Sequence, residues 1–248
     1  MPFQGSASSS SYTRARYRTL IVSAFCMACS FAFIFVSRAH AAPARAAVVA
    51  AVQAPAPTGD VTAQLKSSSS HTRAQAVQAV IDHRARASAD ALTAASLTEA
   101  NPEIRLRMLM AAFQIDRSSA VPFLVGALSG DASPLVRAAA AQILIRVGPN
   151  DAVLKAFLNC LSNEKDLDVR RSCASGLGYH HTPDAVKALD AVASDPDPEL
   201  RRRAGSALLR HPKSAAIEKI LDRLENDRDT SVAAHVRAHR RAARAATK

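Results

Sequence analysis

Residues 120–145 read AVPFLVGALSGDASPLVRAAAAQILI, and the stretch spells out two helices joined by a short polar loop. Leu128 closes the first apolar segment, and Gly130-Asp131-Ala132 interrupts it. Ser133 belongs to the small set of side chains that cap a helix N-terminus. Pro134 follows at the first helical position, where a missing N–H costs nothing. Arg137 lies four residues after the cap, and Ala140, Leu144 and Ile145 come three, seven and eight positions later, lining one helical face.

The same arrangement recurs along the chain. The arginine returns as Arg73, Arg105, Arg137, Arg170 and Arg201, with Ala233 in the sixth slot, at steps of 32, 32, 33, 31 and 32 residues. Four residues before these slots stand Ser69, Asn101, Ser133, Asp166, Asp197 and Asp229, all good caps, and Pro102, Pro134 and Pro198 follow three of them. A first helix in each copy ends near Leu97, Leu128, Leu161, Val192 or Leu224. Gly148-Pro149-Asn150, Thr182-Pro183 and His211-Pro212 are turn signals between copies. A fixed period in this range means stacked supersecondary units whose apolar sides are covered by their neighbours. The expected fold is all-α: a right-handed α-solenoid of about six antiparallel helix pairs over residues 59–248.

The first 41 residues are a separate object. Arg14, Arg16 and Arg18 precede an uncharged run from Leu20 to Val36, and Ala39-His40-Ala41 supplies a small-x-small site. This pattern reads as a secretory signal peptide or an uncleaved membrane anchor, and the positive flank keeps the rest of the chain on the far side of the membrane. Residues 42–58, rich in Ala, Pro and Val, read as a linker. The net charge of +11 belongs to the two ends: residues 42–229 carry 23 basic against 21 acidic residues.

Two stretches resemble a known family. Residues 120–128 followed by Asp131 to Ala140, and Pro183 to Leu189 followed by Asp195 to Arg202, are similar to HEAT repeats, closest to the short HEAT-like repeats of the phycobilisome lyase type. The resemblance spans about residues 60–245. It implies a polar ladder in which Asp131, Asp166 and Asp195 meet Arg105, Arg137, Arg170 and Arg201 between successive copies. It is specific for fold and nearly silent on function.

No residue set indicates catalysis, a metal or a cofactor: there is no phosphate loop or nucleophile elbow, and no Cys-x-x-Cys pair lies in the repeats. His180-His181 with Cys160, Cys173 and His211 fits no metal-ligand spacing. Cys160 and Cys173 occupy slots that other copies fill with alanine, so packing accounts for them, with a disulfide as the alternative. Tyr179, His180, Arg237, Arg240 and Arg241 are the candidate partner contacts.

The function expected is that of an exported, non-catalytic scaffold or adaptor holding an unidentified protein partner on the solenoid surface, touching membrane only through the leader. A lyase-like or chaperone-like accessory role is an alternative, as is an anionic polymer or nucleic acid held by the basic C-terminal helix. The near-neutral repeat body disfavours nucleic acid. As an exposed pair, Arg137 should matter little for stability, whereas Leu144→Asp should disrupt the stack.

Overall fold

Each of the six capped positions begins a helix. The computed structural model describes residues 61–83 and 87–245, as helices with no strand among the described residues. The chain divides into two units, Met1–Ala54 and Pro55–Lys248, and the described residues all lie in the second. The signal or anchor of residues 1–41 and the linker of residues 42–58 lie outside the described residues. Among the described residues no helix is long and apolar enough to cross a membrane.

The first helices of the six pairs are α1 (Val61–Leu65), α3 (Ala87–Ser96), α5 (Arg117–Gly130), α7 (Asp151–Asn163), α9 (Pro183–Val192) and α11 (Ala215–Glu225). The second helices are α2 (Ser70–His83), α4 (Pro102–Ile115), α6 (Pro134–Ile145), α8 (Leu167–Leu177), α10 (Pro198–Leu208) and α12 (Thr230–Ala245). The caps act as the sequence dictates. Asn101, Asp166 and Asp197 accept from backbone N–H groups of the first turn, and Asp229 does the same for Ser231 and Val232. Ser133 takes the cap position without a side-chain cap bond. Asp116, Asn150, Thr182 and Ser214 cap the first helices α5, α7, α9 and α11.

Two layers result. Each second helix packs on its own first helix and on the second helices before and after it. The shared core is aliphatic and continuous, with Leu92, Met108, Leu124, Leu144, Leu177, Leu189, Leu200 and Leu208 excluded from solvent. Burying each such side chain stabilises the fold by roughly 1.5–3 kcal/mol. Buried alanines at 111, 112, 140, 141, 174, 204 and 207 let the helices approach closely. Phe157 fills the middle of copy four, and Gly176 makes room for it: a Cβ there would lie 2.4 Å from the ring. Gly148, midway along the loop after α6, takes φ +82°, a left-handed conformation that favours glycine.

One detail differs from the sequence reading. Cys160 of α7 and Cys173 of α8 form a disulfide with a Cα–Cα distance of 6.5 Å, where simple packing was the expectation. The two alanine-type slots they fill face each other across one helix pair, and period counting alone does not show that. α3 ends at Ser96, beside the leucine slot as expected, and Leu97 itself stands 73% exposed in the turn.

Candidate functional site

An arginine one turn into a capped helix points back over its own loop and forward to the next. Arg105 donates through Nε and Nη2 to both Asp131 oxygens (2.6 Å each) and through Nη1 to the Glu99 carbonyl (2.6 Å). Arg73 does the same with Glu99 and the Ser67 carbonyl, Arg137 with Glu164 and the Asp131 carbonyl, and Arg201 with Asp227 and the Asp195 carbonyl. Each loop carboxylate also accepts the backbone N–H two residues ahead, at 2.8–2.9 Å. The fork of the arginine matches the carboxylate in a planar, bidentate geometry, stronger and more specific than a point-charge pair.

The ladder corrects two expectations. Asp166 is not a rung: it is the cap of α8, accepting from Asp168 and Val169, and Glu164 takes the rung position. Arg170 makes one bond to Asp195 (2.6 Å), while its neighbour Arg171 takes Asp197 with two (3.0 and 2.9 Å). Nor are the rungs exposed pairs: the side chains of Arg137 and Glu164 are 18% and 10% exposed, those of Arg201 and Asp227 6% and 7%. The arginine forks hold Glu99, Glu164 and Asp227 below the usual carboxylate range. At Asp131 burial pushes the other way, and the bonds from Arg105 and the Ser133 N–H outweigh it.

The outward ridge of the second helices lies one, five and nine residues after each arginine slot. It carries Leu106, Met110 and Gln114, then Ala138, Gln142 and Arg146, then Arg171, Ser175 and Tyr179, then Arg202, Ser206 and Arg210, none of them fully buried. Neighbouring copies touch along it. The Arg210 guanidinium lies 5.1 Å from the Tyr179 ring centroid, and Ser206 Oγ is 2.7 Å from His235 Nε2.

Of the predicted partner contacts, Tyr179 is 40% exposed, and Arg237 and Arg241 are on the surface. Arg237 also donates to the Glu225 carbonyl. His180 and Arg240 are corrections. His180 folds inward, 4% exposed, with its ring edge-on to Phe157 at 5.8 Å. Arg240 is 9% exposed and fastens α12 onto α11 by pairing with Glu218, Asp222 (2.7 Å) and Glu225 (3.2 Å). Among the described residues no three His, Cys, Asp or Glu side chains converge so as to hold a metal ion.

The family model for HEAT repeats matches residues 89–155 and 154–239, more than half of the chain. The chain belongs to the HEAT-repeat family. Its solenoid is similar in structure to the complex of CpcE and CpcF of phycocyanin lyase from Nostoc sp. PCC7120, at 23% identity, 62% of this chain, 98% of that chain and TM-score 0.51. It is similar also to YibA of Escherichia coli, at 14% identity, 82% of this chain, 75% of that chain and TM-score 0.53. A designed armadillo repeat protein in complex with the peptide (KR)4 shares 16% identity over 73% of this chain and 97% of that chain, with TM-score 0.50. At these identities the likeness is one of fold. No curated protein matches the chain.

Several functional-looking residues of the HEAT copies escaped the sequence reading. Glu99, Glu164 and Asp227 are rungs that share one signal: an acid six residues before the next arginine slot, two before the cap. His211 is 7% exposed, its Nε2 3.0 Å from the Leu177 carbonyl oxygen. His180, His211 and His235 all lie in the last three HEAT copies, and burial first of all holds each imidazole below its ordinary pKa. A pKa depressed on folding contributes stability that is present above the unfolded value, about 6.5, and is lost as pH falls through the folded values. The melting temperature is therefore expected to fall between pH 7.5 and pH 5, before the ladder carboxylates titrate. The triple variant His180→Gln, His211→Gln, His235→Gln should flatten that slope. A melting temperature that rises on acidification contradicts the assignment.

Proposed function

We propose that this HEAT-repeat protein is an exported, non-catalytic scaffold that holds a protein partner against the ridge of its second helices. The observation that carries the reading is the ridge itself. Successive helices present equivalent positions in line, and an exposed tyrosine at position 179 is held in place by Arg210 of the next copy. An aromatic with few rotamers, flanked by adaptable polar groups, gives contact area at low entropic cost. Export is supported by the leader pattern and by the Cys160–Cys173 disulfide, since such bonds persist in oxidising compartments. The alternative of an anionic polymer on the C-terminal helix is weakened, because Arg240 is already engaged by three carboxylates.

The reading is tested in cells of the source organism with a photo-crosslinking residue at Ser175 or Tyr179, and at Lys155 on a first helix as the control. A discrete protein adduct from the two ridge positions, absent at Lys155 and abolished by Arg210→Glu, is the expected result. The same cells give the compartment: the mature N-terminus is expected after Ala41 or, for an anchor, at Met1 in the membrane fraction. Cys160 and Cys173 should resist alkylation until reduced. A soluble cytoplasmic protein with Met1 intact and both thiols free overturns the export part of the proposal.

A further inference from the structure

The first helices pack against one another from α1 to α3, α3 to α5, α5 to α7 and α7 to α9, whereas α9 and α11 meet less closely. A groove of about 680 Å³ opens between them. Its floor is apolar, built by Val186, Ile217 and Ile220. Its rim is cationic. Lys187, Lys219 and Arg223 line it with a single carboxylate, Asp190, which Arg223 already holds at 2.5 Å. Lys187 and Lys219 have no ion-pair partner among the described residues. The segregation has a cause in α11. Its acids Glu218, Asp222 and Glu225 are drawn to Arg240 of α12, so the side facing α9 presents Lys219 and Arg223.

The geometry points to this groove as the docking site for a partner's peptide segment that carries an apolar side chain flanked by carboxylates. The inference rests on the scaffold reading above and gives its partner a chemistry. The apolar side chain covers the floor, and the flanking carboxylates meet the two uncompensated ammonium groups. A basic segment would bring like charge to the same rim, which disfavours it.

The experiment selects a displayed library of random 12-residue peptides on the purified full-length chain. Enriched sequences are expected to place Asp or Glu within two residues of Leu, Ile, Met or Phe. A synthetic peptide of the enriched sequence should bind the double variant Lys187→Glu, Lys219→Glu at least tenfold more weakly by fluorescence anisotropy. Its affinity for Lys155→Glu, on the neighbouring first helix, should change by less than twofold, with the helical circular dichroism of both variants unchanged. No enrichment, enrichment without acidic bias, or affinity that survives the charge reversal overturns the assignment. If crosslinks at Tyr179 still capture a partner when the groove test fails, only the groove assignment falls. If both fail, the scaffold reading falls with it.

Discussion

Leu144→Asp is expected to abolish the single cooperative melt of the repeat unit at neutral pH. Leu144 is fully buried in α6, which packs on α4, α5 and α8. Removing a buried leucine side chain costs about 2–5 kcal/mol through lost transfer energy and the cavity left behind. Seating an unpaired carboxylate in the same place adds several kcal/mol more. The total approaches the 5–15 kcal/mol that typically separates a folded domain from its unfolded state (about that range). A solenoid can fail in part, since its stability is a sum of copies and of the interfaces between them. The expected product is a chain in which copies four to six, the fourth tied internally by the Cys160–Cys173 bond, keep amide protection while copies one to three lose it. Circular dichroism melts and hydrogen exchange measure both. Gln142→Asp, exposed on the same helix, serves as the control and should stay within about 0.5 kcal/mol of wild type. A melting temperature for Leu144→Asp within about 2 °C of wild type would mean that α6 faces the other way.

The layers of this fold were legible because one grammar is repeated: cap, arginine four residues on, apolar positions at helical spacing. Residues that act within one copy, such as Asn101 or Asp197, could be assigned from that grammar alone. Residues that act between copies could not. The partner of Arg137 lies 27 residues away and that of Arg170 lies 25 away, and such offsets shift whenever a first helix gains or loses a residue. Chemistry also misled. Asp166 looked like the acid of a rung because aspartate fills that role in copies three and five, yet an aspartate directly before a helix is better used as its cap. His180 looked like a surface residue at a helix end. The turn after Gly178 swings it inward onto Phe157 while Tyr179 remains outside. Arg240 belonged to a basic run and read as a free contact. Only the spacing of Glu218, Asp222 and Glu225, one face of α11, explains why it is held. The candidate surface was thus visible in outline through Tyr179, and the groove beside α9 was not visible at all, because it depends on how far two helices stand apart.

Arg201→Ala separates a structural ladder from a decorative one. Arg201 is 5% exposed and satisfies Asp227, the Asp195 carbonyl and the Pro196 carbonyl together. Its removal strands the Asp227 carboxylate in a site it shares with only one other donor, the Asp229 N–H. Breaking one side of a buried pair costs about 3–5 kcal/mol; with the loop still reachable by water we expect about 2–4 kcal/mol, or a fall of roughly 5–15 °C in melting temperature for a unit of this size. The effect should carry a pH signature. Arg201 holds the Asp227 carboxyl below its ordinary range, so the stability it contributes is present above the unfolded value, about 3.9, and is lost as pH falls through the folded one. The gap between wild type and Arg201→Ala should therefore close below about pH 4. The double variant with Asp227→Ala should cost less than the two singles added together, by about 1–3 kcal/mol. Arg170 gives the internal comparison: with one bond to Asp195 and a side chain 22% exposed, Arg170→Ala should cost about 1 kcal/mol or less. Equal losses from Arg170→Ala and Arg201→Ala would show that burial and fork geometry do not set the strength of the rungs, and that the stack is held by its apolar layers alone.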